Sequence, residues 1–269
     1  MPEHNILSGH AKSEGVQRRD ICTVGRWMYE RGFIVACEGN LSVRLDGGRL
    51  LATPTCMNKG MLEPDDLVVT DLEGRHLAGK RKVSSELAMH LLIYRLREDV
   101  KAVCHAHPPT ATGFAVAGRA LDQALLPEVI VGLSQIPLVR YATPGTPELS
   151  AAIEPFVPNY DALLLANHGA VTCGPDLLAA FHQMETVEQF AKVVLVAESV
   201  GEPKLLSSRE VAKLMAARPR YSVAAPPGGC AELPVTSDDS SIRGDRVTLT
   251  RAELEALVDE AIRKDRSRR

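Results

Sequence analysis

The residues of this chain best suited to chemistry are its histidines. Eight are present: His4, His10, His76, His90, His105, His107, His168 and His182. Only His105 and His107 lie two apart in a segment, AVCHAH over 102–107, that reads as a strand. Alternate residues of a strand face the same side, so both imidazoles point the same way. Two imidazoles so placed can share one metal ion and leave positions for a third ligand and a substrate. Pro108 and Pro109 end the strand, which puts the pair at a sheet edge or mouth. The plain alternative is two histidines satisfied by hydrogen bonds. His168 tilts the reading toward a metal, because it too closes an apolar strand, ALLLANHG over 162–169. Gly169 then permits close approach of a backbone or ligand.

Glu86 follows Ser84 and Ser85 at the start of a helical pattern, SSELAMHLLIYRLRED. A helix N-terminus offers unpaired N–H groups and partial positive charge, and two hydroxyls there can cradle a phosphate. Taken alone, a serine N-cap with a dipole-favoured glutamate explains the same residues. Gly39-Asn40 before a strand and Thr53-Pro54-Thr55 after one are ordinary turn material in isolation.

The elements that must carry these side chains are readable from periodicity. Residues 13–31 predict a helix, with Val16, Ile21, Val24, Trp27 and Met28 near helical spacing. LSVRLDGGRLLATPT predicts two strands around Asp46-Gly47-Gly48, and LVVTDLEGRHLAG a second pair turning at Glu73-Gly74. A Pro-started helix is expected over 108–118, and a long helix ending at a glycine over 175–201. Two short apolar runs fall within 129–140. Strands alternate with helices, so the class is α/β, a mixed sheet flanked by helices.

Composition sets the outer bounds. The chain is 45% hydrophobic and 24% charged, with net charge −3, a globular composition with no basic field for nucleic acid. No run of about 18 apolar residues predicts a membrane span. The start lacks a basic, then apolar, leader pattern. The six cysteines are scattered without paired spacing, which fits reduced thiols in a cytoplasmic protein.

The ordered set EGNLSVR (38–44), ATPT (52–55), SSE (84–86), HAH (105–107), NHG (167–169) and YATPGTPEL (141–149) resembles the class II aldolase/adducin family, most of all its L-fuculose-1-phosphate aldolase branch. The resemblance spans roughly residues 15–205. It implies a three-layer fold, a central, mainly antiparallel sheet sandwiched by helices, assembled as a fourfold homotetramer with sites at subunit interfaces. It implies one Zn²⁺ per chain on His105, His107 and His168, with Glu86 as the catalytic proton carrier. Asn40, Thr55, Ser84 and Ser85 match the family's phosphate-holding positions. The implied reaction is aldol cleavage of a 1-phospho-2-ketose to dihydroxyacetone phosphate and an aldehyde such as lactaldehyde. Relatives run epimerisation, dehydration or decarboxylation on the same site, so reaction type does not follow from fold. The adducin head, a binding module on this fold, lacks the metal residues, whereas all three histidines and Glu86 are present here.

Two departures stand out. The fuculose-phosphate enzymes carry a tyrosine in a hairpin region matching LLPEVIVGL (125–133), and this chain has none there, though it has Glu128. The phosphate loop reads TPTCMNKG, with Cys56 where glycine is usual and Lys59 as either a further phosphate contact or a solvated side chain. The catalytic domain is expected over 1–221. A Pro/Gly/Ser/Asp-rich stretch, 222–246, has linker composition. An amphipathic helix is expected over 247–269, with a Thr250/Glu253 capping box and a stripe of Leu254, Leu257, Val258, Ala261 and Ile262. That tail resembles the encapsulation peptides of bacterial microcompartment enzymes, which implies a shell protein as partner. Docking on its own tetramer and binding another partner by the apolar stripe are the alternatives.

Overall fold

The computed structural model describes residues 12–221; the expected linker and C-terminal helix lie outside the described residues. Helix α1 (Glu14–Glu30) buries Ile21, Val24, Gly25 and Met28, one stripe at helical spacing. Two hairpins follow, β1 (Asn40–Leu45) with β2 (Arg49–Ala52) and β3 (Val68–Asp71) with β4 (His76–Ala78). The remaining elements are α2 (Leu87–Leu96), β5 (Ala102–Ala106), α3 (Pro109–Val116), α4 (Pro127–Gly132), β6 (Leu138–Val139), α5 (Pro147–Ile153), β7 (Ala162–Leu165), β8 (Gly169–Gly174), α6 (Leu177–Val200) and α7 (Ser208–Ala217).

The strands form one sheet in the order β4-β3-β2-β1-β5-β8-β7-β6. Every pairing is antiparallel except β6 with β7. The period of two along each strand divides the core. Leu41, Val43, Cys104 and Ala106 pack with α1, α3 and α6 on one face. Val103, Leu163, Val171 and Cys173 pack with α2 and α5 on the other. This is the three-layer arrangement expected from the resemblance.

Three local expectations are corrected. The apolar stretch 162–169 is not one strand: β7 stops at Leu165 and the chain turns into β8 at Gly169. Asn167 sits at φ 56° in that turn, a left-handed conformation that asparagine tolerates better than most residues. The cap of α2 is Glu86 itself, not a serine, and its side chain makes no capping bond; the carboxylate is directed elsewhere. Residues 127–132, in the region matched to a hairpin, form helix α4, whose first turn opens on Pro127. Helix α7 was not anticipated, although Ser207 and Glu210 form a reciprocal capping box at its start.

Candidate metal centre

The central strands carry the site. β5 pairs with β1 and β8, so Asn40 lies opposite His105, and His105 opposite Val171. His105 is fully buried on the face covered by α2. His107 lies one residue beyond β5, and the β7–β8 turn brings His168 back over the same strand end. The three rings form a triangle with centroids 5.0, 4.7 and 5.0 Å apart. One ligand nitrogen from each lies within 4.8 Å of the others.

Tautomers can be assigned from the outer contacts. His105 Nδ1 sits 2.8 Å from the carbonyl of Ala170, so Nδ1–H donates there and the Nε2 lone pair faces inward. His107 Nδ1 lies 3.4 Å from Glu38 Oε2, which turns its Nε2 inward as well. Those two nitrogens are 3.2 Å apart, with no proton between them. Burial, reinforced by the neighbouring imidazoles, pushes His107 down to about 3, so its ring is a neutral ligand at pH 7.

Glu86 completes the centre. Its Oε2 is 3.3 Å from His105 Nε2 and its Oε1 is 3.2 Å from His168 Nε2. Oε1 is buried and accepts no hydrogen bond. Inward lone pairs and a carboxylate facing one another are mutually repulsive until a cation lies among them. Two zinc-bound nitrogens at tetrahedral spacing are about 3.3 Å apart, close to the observed pair. The donor set therefore fits a divalent ion, with the three Nε2 atoms as ligands.

Gly169 makes the packing possible. A Cβ there would lie 2.5 Å from the Ala106 carbonyl and 2.6 Å from His107 Cδ2. Gly39, at φ 65°, likewise has His105 O within 2.8 Å of where a Cβ would stand. Both glycines are thus set by close approach around the histidine strand.

Thr55, Ser84 and Ser85 come together on two neighbouring segments. Thr55 N donates to Lys82 O at 3.0 Å, Ser84 N to Thr53 O at 3.3 Å, and Pro54 bridges to Val83. Ser84 Oγ accepts from Glu86 N at 3.3 Å, which ties this pair of segments to the base of α2. Asn40 is placed differently. It is 3% exposed, and its amide bridges His90 and Glu86 instead of opening to solvent. Lys59 is neither solvated nor aimed at the cleft, because Nζ donates to Cys37 O at 2.6 Å and Met57 O at 2.8 Å. Burial lowers its pKa, and its role is to tie residues 37 and 57 together.

Sequence reasoning missed Glu38, His90 and Glu188. Glu38 stood inside the EGN motif without a role. His90 is four residues after Glu86, one turn along the same helix face, and that spacing was the available signal. Glu188, 1% exposed, reaches from α6 to accept from Thr110 N, Thr110 Oγ1 and Ala111 N. It supplies the acceptor that Pro108 cannot give to the first turn of α3, directly after His107.

A triad of imidazoles, one buried and two half-buried, with an adjacent carboxylate at the ends of the central strands of a helix-covered sheet, is a site able to hold a divalent metal ion. The chain belongs to the Class II Aldolase and Adducin N-terminal domain family, whose profile matches residues 19–195. It is 34% identical over 217 residues to the 3-oxo-tetronate 4-phosphate decarboxylase of Pectobacterium atrosepticum, covering 78% of this chain and 98% of the relative. It is 33% identical to the 5-deoxy-D-ribulose 1-phosphate aldolase of Bacillus thuringiensis, covering 74% and 93%. A solved L-fuculose 1-phosphate aldolase superposes with a TM-score of 0.71 at 31% identity, covering 78% of this chain and 98% of that one. No helix of the described residues is long and apolar enough to cross a membrane.

Proposed function

We propose that this protein is a zinc-dependent carbon–carbon lyase that generates dihydroxyacetone phosphate by decarboxylating a four-carbon 3-oxo acid 4-phosphate. The observation that carries the reading is the Glu86 carboxylate, 3.2–3.3 Å from two of three convergent imidazole nitrogens. Bound on His105, His107 and His168, a divalent ion supplies Lewis acidity that polarises the substrate carbonyl and steadies the charge developing on its oxygens.

The two reactions named among the relatives converge chemically. In a 3-oxo-tetronate 4-phosphate, breaking the C1–C2 bond releases CO₂ and leaves the electron pair on C2, next to the C3 carbonyl. In a 1-phospho-2-ketose, breaking C3–C4 releases an aldehyde and leaves the pair on C3, next to the C2 carbonyl. Both leave the enediolate of dihydroxyacetone phosphate. Glu86 takes the proton of the hydroxyl beside the carbonyl and returns a proton to the vacated carbon. For decarboxylation, one solvent proton replaces the departing CO₂. Thr55, Ser84 and Ser85 hold the phosphate at the α2 N-terminus, so remote binding energy orients the reacting carbon.

The leaving group is the point of choice. An aldehyde leaves only when a base removes the proton of its hydroxyl, whereas CO₂ needs none. The absence of a tyrosine over 125–133 favours CO₂. Aldol cleavage of an L-fuculose 1-phosphate-like ketose is the second reading, supported by the likeness to the two aldolases. An adducin-like binding module is disfavoured by the intact donor set. We place the working enzyme in the cytoplasm as a homotetramer, with residues 247–269 as an encapsulation peptide. Deleting them should leave lyase activity intact and abolish co-purification with cognate shells.

The test is release of dihydroxyacetone phosphate by the zinc-loaded full-length protein. The substrates are 3-oxo-tetronate 4-phosphate and L-fuculose 1-phosphate, each with wild type and Glu86→Gln. Release from the oxo acid, lost in the variant, is the expected result. Release from the ketose alone moves the assignment to the aldolase reading, and release from neither overturns both.

A further inference from the structure

Glu86 Oε2 accepts from Asn40 Nδ2 at 2.9 Å, and behind Asn40 lies a chain of buried polar groups. Asn40 Oδ1 is 2.5 Å from His90 Nε2. His90 Nδ1 is 2.7 Å from Ser42 Oγ. Ser42 Oγ is 2.9 Å from the Tyr94 hydroxyl, which also lies 2.9 Å from the Ser42 carbonyl. Asn40, Ser42, His90 and Tyr94 are 3%, 0%, 1% and 1% exposed, so water does not compete for these bonds.

The chain has one consistent polarity. A carboxylate only accepts, so the Asn40 amide must turn its NH₂ toward Glu86 and its oxygen toward His90. That oxygen needs a donor, which fixes His90 as the Nε2–H tautomer. Its Nδ1 is then an acceptor and takes the Ser42 hydroxyl proton, while the single Tyr94 O–H proton lies between the Ser42 carbonyl and Ser42 Oγ, each at 2.9 Å. Burial, reinforced by nearby His105, pushes His90 down to about 3, in keeping with a neutral ring. Both elements that carry the chain are regular: Asn40 and Ser42 alternate on the α2-facing side of β1, and His90 and Tyr94 are one turn apart on α2.

We propose that His90, acting through Asn40 and backed by Ser42, is a positioning residue that fixes the rotamer of the Glu86 carboxylate. In this assignment one N–H of the Asn40 amide serves the carboxylate. The proposal rests on the reading that Glu86 moves the proton. One carboxylate oxygen is spent on Asn40, which leaves the other, Oε1, aimed into the centre. Without the chain, the carboxylate is free to rotate about its terminal bond and to collapse onto the histidines.

The test uses the full chain loaded with zinc and follows deuterium uptake from D₂O into dihydroxyacetone phosphate by proton NMR. Variants are His90→Phe, His90→Gln, Ser42→Ala and Glu86→Gln. His90→Phe should slow exchange by roughly 10–100-fold, the usual effect of losing an outer-shell partner, with zinc content and ketose-phosphate affinity within about twofold of wild type. His90→Gln, which can still donate to Asn40 and accept from Ser42, should recover most of that loss. Wild-type exchange in His90→Phe, with Glu86→Gln inactive, overturns the positioning role alone. Equal losses of exchange, zinc and ligand affinity overturn it in favour of a merely structural histidine. A second measurement needs no turnover: in ¹⁵N-histidine NMR at pH 7, the signal missing from His90→Phe should be that of a neutral Nε2–H ring. An Nδ1–H ring or an imidazolium refutes the chain even if wild type fails to exchange, an outcome that would itself count against the function of Glu86.

Discussion

Substituting Gly169 by alanine tests the centre without touching a ligand. The added Cβ would stand 2.6 Å from His107 Cδ2 and 2.5 Å from the Ala106 carbonyl. Ordinary contact begins at 3.4 Å, so the imidazole or the strand must give by about 0.8 Å. Metal–nitrogen distances tolerate only about 0.2 Å, and β5 is held on both sides by β1 and β8. His107 Nε2 is therefore carried out of bonding range. Zinc affinity should fall roughly 10–100-fold, and the metal-free protein should lose about 1–3 kcal/mol to overpacking. The assay is competition of the metal-free protein with a chromophoric chelator, paired with thermal melts. At a zinc concentration 100 times its own dissociation constant, wild type gains about 2.7 kcal/mol. A variant binding 30-fold more weakly gains about 0.9 kcal/mol at the same concentration. Gly113→Ala, in α3 with nothing within 4 Å and no positive φ, is the control and should be neutral or stabilising by about 0.5–1 kcal/mol. Wild-type zinc affinity in Gly169→Ala would refute the reasoning, because it would mean His107 is not held by this contact.

Glu86→Gln should keep one zinc per chain while proton transfer falls by about 10²–10⁴-fold, read by metal analysis and deuterium exchange. Stability should fall steeply in acid. His90 titrates at about 3 against an ordinary value of 6.5, so between those values the unfolded chain holds a proton that the folded chain refuses. Stability then rises with pH across that window, by up to about 1.4 kcal/mol per unit, and His90→Phe should flatten the slope of denaturant stability between pH 4 and 6. Glu188→Ala leaves the Thr110 and Ala111 amides without their buried acceptor and should cost roughly 2–4 kcal/mol in urea unfolding. An effect below about 0.5 kcal/mol, the level of an ordinary surface change, would show that the first turn of α3 does not depend on the carboxylate.

The three histidines and Glu86 were legible because their local settings are strong: a period-two pair closed by prolines, a histidine at the end of an apolar run before Gly169, and an acid at a helix start. The layers were legible too, since the alternation in β1, β5 and β8 is that of strands packed on both faces. Cys22, Cys104 and Cys173 are buried and Cys37 and Cys56 exposed, so core filling explains only some of the thiols. The β7–β8 turn was hidden because ALLLANHGAV is apolar on both sides of Asn167, and a continuous apolar run carries no mark of where it reverses. Helix α4 was missed because six residues are too few for a period to declare itself.

By itself, then, the sequence determined which residue types could bind a metal and move a proton, and which elements they begin or end. Only the tertiary structure decided that His168 folds back onto His105 and that Glu38 orients His107. It also turned Lys59 inward and committed Asn40 to Glu86 and His90. The physical reason is that each of these contacts depends on strand register and on α2 lying over β1 and β5. Hydrogen-bond partners separated by 46 or 50 residues leave no periodic trace in the chain that carries them.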